Sequence, residues 1–162
     1  PTLSASDEFT VCAWFNSDEW TSDRHYVVGS RDGNNNWVAF VAYGSSDFRW
    51  HLNDGSNSNY IQITPPSTDE WHFVCGTHKP SNNQVELFVD GISQGTEAGS
   101  SLSGSLVTDW SIGRRSNNSY PRYFDGKIAD VRVYDHALTP AEVQYLYEVS
   151  QRGRMVSSKK TL

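Results

Sequence analysis

Three kinds of side chain in this sequence could do chemistry, and their spacing decides what they can do. Paired carboxylates come first, because cleaving a glycosidic bond takes an acid and a second carboxylate about 5 Å apart in retaining enzymes. On a strand that requires a run such as E-x-D-x-x-E, and no such run occurs. Glu86 and Asp90 stand apart, and Asp69 with Glu70 falls in a turn-like stretch. The histidines come second. His25, His51, His72, His78 and His136 are scattered, without metal-ligand spacing and without a G-x-S-x-G nucleophile motif. Catalysis is therefore not expected.

The third kind is aromatic and planar polar. Six Trp and eight Tyr are more than a core of this size needs, and flat rings against sugar C–H surfaces, with planar polar groups on the hydroxyls, are the means of glycan recognition. Trp14, Trp71 and Trp110 sit in strand-like runs where core burial is expected. Trp37, Trp50 and Tyr60 stay open between core and ligand.

The elements that position these residues are strands. Runs rich in Val, Ile, Phe, Trp and Tyr are separated by Gly, Asn, Ser and Asp clusters, the pattern of antiparallel strands joined by tight loops. Nine runs are expected as strands: 9–15, 25–30, 37–44, 48–53, 60–64, 71–78, 85–91, 110–115 and 127–135. That number calls for two sheets. In 85–91, Val85, Leu87 and Val89 fall on one face and Glu86 and Asp90 on the other, as a half-buried strand demands. One helix is signalled by Thr139-Pro140-Ala141-Glu142, a hydroxyl cap with proline at the first helical position and a glutamate able to bond back. Val143, Leu146 and Tyr147 supply its apolar stripe. The expectation is one domain over 1–149, with 150–162 a polar, basic tail or linker to something larger.

Charge narrows the partners. The net charge is −6, and four of the 13 basic residues (Arg152, Arg154, Lys159, Lys160) lie in the last twelve positions, so the body is more acidic still. Nucleic acid is not expected, because phosphate binding wants a basic stripe. Membrane insertion is not expected either, for want of an apolar run of spanning length. Cys12 and Cys75 both lie in strand-like runs, which leaves two readings open: a staple made in an oxidising compartment, or two buried thiols.

In order, the segments FTVCAWF, EWHFVCGTH, VELFVDG, WSIG and FDGKIADVRVYDHALTPAEVQYLY resemble the landmarks of laminin-G-like and pentraxin domains of the concanavalin A-like group. The resemblance implies an all-β, two-sheet antiparallel jelly-roll sandwich with one short C-terminal helix. It also implies a Cys12–Cys75 disulfide, which the chain-entropy argument values at about 4 kcal/mol. The function it implies is a non-catalytic carbohydrate-binding or adhesion module, displayed outside a cell or on a cell or virion surface. The alternative is a structural or protein-interaction domain of a larger multidomain chain or oligomer. Its partner would be a glycan or a surface protein.

The same resemblance suggests sites. The two loops that hold calcium in pentraxins correspond to Asn34-Asn35-Asn36 and to Arg114-Arg115-Ser116-Asn117-Asn118, where two arginines and neutral amides replace the carboxylates that calcium requires. Those loops are expected to meet at one end of the sandwich as a polar ligand patch of Asn34, Asn35, Asn36, Trp37, Arg114, Arg115, Asn117, Asn118 and Tyr120. Asn117-Asn118-Ser119 is also a glycosylation acceptor motif. A structural calcium ion of the glucanase branch would fall to Asp130 in ADVRVY, unless Asp130 pairs with Arg132 or caps a turn.

Overall fold

The computed structural model describes residues 2–31, 36–107, 109–115 and 122–158. Two five-stranded antiparallel sheets face each other. One has the order β11 (Trp110–Ile112), β3 (Arg24–Arg31), β4 (Asn36–Tyr43), β5 (Asp47–Asp54), β6 (Ser58–Ile63). The other has the order β12 (Gly126–Tyr134), β2 (Phe9–Ser17), β7 (Trp71–Lys79), β8 (Gln84–Val89), β9 (Ile92–Ala98). A short ribbon pairs β1 (Leu3–Ser4) with β10 (Ser105–Val107). The jelly-roll expectation is met.

Alternation of residue type sorts each strand between its faces. Val38, Phe40 and Ala42 of β4, Phe48, Trp50 and Leu52 of β5, Val11, Ala13 and Phe15 of β2 and Val85 and Leu87 of β8 all enter the core between the sheets. Trp50 is fully buried there and donates its indole N–H to the Thr77 carbonyl at 2.9 Å, so one side chain ties the two sheets together.

The outward residues of the second sheet make a second core. Cys12 and Cys75 stand directly opposite each other in the β2–β7 pair and form a disulfide across 63 residues of chain. Trp14, Phe73 and Phe88 extend this layer, and Leu138 and Val143 cover it from the helix side. The helix α1 (Pro140–Ser158) begins as its cap predicts: the Glu142 carboxylate accepts from the Thr139 N–H at 2.8 Å, and the Glu142 N–H reaches back to the Thr139 hydroxyl at 3.3 Å.

Two boundaries differ from expectation. The helix continues beyond Val149 to Ser158, and the Trp14 indole N–H donates to the Ser150 hydroxyl at 3.0 Å, an anchor contributed by the sheet that the helix sequence does not reveal. The run 110–115 is a strand only to Ile112, because Gly113 turns the chain at φ 71°. Strand β9 was missed: ISQGTEA is exposed along its whole length and shows no alternation to read.

Candidate ligand-binding face

The outward face of the first sheet carries the residues that could hold a ligand. In β4 the outward positions are Trp37, Ala39, Val41 and Tyr43; in β5 they are Asp47, Arg49, His51 and Asn53; in β6 they are Ser58, Tyr60 and Gln62. Register then sets the neighbours. Ala39, His51 and Tyr60 form one cross-strand row and Val41, Arg49 and Gln62 the next. Arg24 lies opposite Tyr43.

His51 is the hub of this face. Only 5% exposed, it stands 5.1 Å from the Trp37 ring and 5.0 Å from the Tyr60 ring, centre to centre. One ring nitrogen contacts the Tyr43 hydroxyl at 3.3 Å and the other the Ser58 hydroxyl at 2.5 Å. Burial, reinforced by the charges of Arg49 and Arg24, pushes its pKa down to about 3. The imidazole is therefore neutral, with one nitrogen donating and the other accepting.

Two guanidinium groups flank the ring system. Arg24 lies 4.4 Å and Arg49 4.2 Å from the Tyr43 ring centre, and Arg49 also lies 4.6 Å from that of Tyr60. Arg49 is held by both oxygens of Asp47, at 2.9 and 3.0 Å. Arg24 has no carboxylate partner among the described residues. Burial raises the Tyr43 pKa, so its hydroxyl stays protonated. The face thus combines rings for C–H surfaces with planar donors for hydroxyls or anions.

Of the patch expected at the loops, the structure describes Asn36, Trp37, Arg114 and Arg115. Asn34, Asn35, Asn117, Asn118 and Tyr120 lie outside the described residues. Asn36 and Trp37 open β4, whereas the Gly113 N–H bonds the Val27 carbonyl, four positions down β3 from Arg31, the cross-strand partner of Trp37. At strand rise that offsets Gly113 from Trp37 by roughly 13 Å along the sheet, with β3 between their strands, and Arg114 lies further still. Arg114 bridges to Tyr123, and Arg115 is only 8% exposed, so its guanidinium is not open to a ligand. Among the described members of the expected set, Trp37 joins the aromatic face.

Asp130 does not fit a calcium ion. Its two oxygens accept from the Arg132 guanidinium at 2.8 and 2.7 Å, so the pairing with Arg132 holds, and a cation would have to displace it. Among the described residues no three His, Cys, Asp or Glu side chains gather as a metal site.

A second polar cluster was invisible in the sequence because its members lie on either side of a hairpin. Ser67 contacts His72 at 2.9 Å, and His72 contacts Asp90 at 2.8 Å, the connectivity of a hydrolase triad. The Ser67 hydroxyl also donates to Glu70, and the other oxygen of Asp90 accepts the Phe73 N–H at 2.8 Å. Hydrogen bonding to Asp90 raises the His72 pKa. With its one hydrogen given to Glu70, the Ser67 hydroxyl can only accept from His72, and the set ties the loop before β7 to the turn between β8 and β9.

A family model described as the concanavalin A-like lectin/glucanases superfamily matches residues 1–144. The chain belongs to that superfamily. Among relatives, it is 24% identical over 152 residues to C-reactive protein of Oryctolagus cuniculus, covering 86% of this chain and 64% of that protein, so the chain spans less than two thirds of the relative's length. Among solved structures, it resembles the native heptameric SAP-like pentraxin of Limulus polyphemus, with a TM-score of 0.67, 19% identity and coverage of 90% of this chain and 72% of that one. It also resembles the CBM40 of the Ruminococcus gnavus IT-sialidase bound to alpha2,3 sialyllactose, with a TM-score of 0.71, 14% identity and coverage of 87% and 83%. At these identities the structural likeness establishes the fold. Function rests on the site.

Proposed function

We propose that this domain is a non-catalytic carbohydrate-binding module of a secreted or surface-displayed protein, and that the outward face of β3–β6 receives the glycan. The observation that carries the reading is the Trp37–Tyr43–Tyr60 ring set assembled around a buried, neutral His51, with Arg24 and Arg49 beside it. Such a face offers apolar ring surface and fixed planar donors without side-chain ordering on binding. The Cys12–Cys75 bridge supports an extracytoplasmic setting, where disulfides persist. The Ruminococcus gnavus module shows that this fold can hold a glycan. The carboxylates that might suggest hydrolysis each have a structural partner: Glu86 holds the Ser93 hydroxyl at 2.6 Å, Asp90 the Phe73 N–H and Asp130 Arg132.

A glycan array read with the wild-type domain and with Trp37→Ala and Arg24→Ala tests the proposal. Selective binding that either substitution weakens tenfold or more supports it; blanks across all sugar classes refute it. The second reading, a protein-interaction domain, is favoured by the outer side of α1, where Tyr145 and Val149 stand exposed one turn apart. Capture of a protein partner abolished by Tyr145→Ser would decide for that reading.

A further inference from the structure

The two sheets end on the same side in strands that each have only one neighbour, β6 and β9. Between them opens a cleft of about 500 Å³, within the range that small ligands fill. Its walls are Tyr60 and Gln62 from β6 and Gln94, Thr96 and Glu97 from β9. Solvent-exposed edges are commonly blunted by Lys or Pro, yet neither SNYIQI nor ISQGTEA contains either. Among the described residues the side chains of Gln62, Thr96 and Glu97 have no hydrogen-bond partner, and Gln94 holds only the Ile92 carbonyl, at 3.2 Å.

The floor of the cleft is built rather than open. Asn59 is 2% exposed and donates from its amide nitrogen to the Ser100 carbonyl at 2.9 Å, tying β6 to the segment after β9. Gly99 lies so close that a Cβ there would come within 1.9 Å of the Asn59 amide oxygen, so only glycine lets the two segments meet. Tyr60 belongs to both surfaces: Arg49 and His51 pack on its ring from the outward face, and the same side chain lines the cleft.

We infer that the cleft between β6 and β9 is a second saccharide subsite, continuous through Tyr60 with the aromatic face, and that it takes an uncharged sugar unit. This inference rests on the carbohydrate-binding reading above. Two carboxamides able both to donate and to accept, a hydroxyl and a ring suit sugar hydroxyls and C–H surfaces. No Lys, Arg or His lines the cleft, and Glu97 repels a carboxylated or sulfated unit. The charge selection here is opposite to that of the face, where Arg24, without a carboxylate partner among the described residues, favours an anion.

The test is an NMR titration of the isotopically labelled chain with cellotetraose, xylotetraose, maltotetraose and arabinotetraose in turn, with tetragalacturonate as the charged control. At least one neutral tetrasaccharide should shift the side-chain amide signals of Gln62 and Gln94 and the backbone amide of Thr96. Gln94→Ala combined with Thr96→Ala should weaken that sugar about tenfold while leaving the melting temperature unchanged, since both residues are exposed. Shifts confined to Trp37 and Tyr43 would overturn the subsite and leave the proposed function standing. No shift anywhere with any of the five sugars would count against both. Cleft signals that move only with tetragalacturonate, or only with protein concentration as edge-to-edge pairing requires, would also overturn the inference.

Discussion

The Trp50 indole lies flat against Gly76 of the facing sheet: a Cβ built on Gly76 would fall 2.2 Å from the ring. Gly76 is therefore the socket into which the main inter-sheet anchor fits, with the Trp50 N–H bonded to the next carbonyl, that of Thr77. Neither backbone nor ring can yield cheaply, because Phe9 and Phe40 pack on the same indole.

Gly76→Ala should destabilise the domain by at least the 1–3 kcal/mol typical of overpacking. Chemical denaturation measures it. A midpoint unchanged from wild type would show that the socket relaxes freely.

Reduction of Cys12–Cys75 should cost about 2–4 kcal/mol, because the bridge closes 63 residues of chain. The fold should survive, since Val11, Ala13 and Phe15 pack on the opposite side of β2 from the bridge. Denaturation of the Cys12→Ala, Cys75→Ala double variant checks both points, and thiol titration of the unfolded, unreduced wild type should detect none.

His51 sets a pH dependence with a definite sign. Its folded pKa lies near 3 and its ordinary value is 6.5, so between those limits the unfolded chain binds the extra proton and stability falls as pH drops. The loss should grow from below about pH 6.5 to a few kcal/mol near pH 3. Comparing denaturation of wild type and His51→Gln at pH 7, 5 and 4 isolates it, because other groups contribute alike to both. Parallel curves would refute the assignment.

Chelators should leave the melting temperature unchanged, because Asp130 is held by Arg132. Asp130→Asn should cost no more than about 1 kcal/mol, as befits a partly exposed ion pair. A melting temperature raised by added calcium in the wild type and not in Asp130→Asn would restore the metal to this position.

How much was legible in advance follows from the range of each interaction. Residue alternation marks a strand locally, so the nine expected strands all contain real ones, while the exposed β9 and the short β1 and β10 offered no pattern. Thr139 and Glu142 announced the helix start within four residues, but its far end depends on Trp14, more than a hundred positions away. The cysteine pair could be placed in strands from the chain alone, and resemblance supplied the pairing; the β2–β7 register then set Cys12 against Cys75.

The candidate site divides in the same way. By itself the sequence determined which residues alternate outward from each strand and that no strand carries paired catalytic carboxylates, because both are properties of neighbouring positions. Only the tertiary structure decided that Tyr43, His51 and Tyr60 meet on one face while Arg114 stands strands away from Trp37. That outcome depends on the register of β4, β5 and β6 and on β11 joining the sheet beside β3. Register and strand order are set by the sum of many packing contacts between distant segments, and no local stretch of the chain contains that sum.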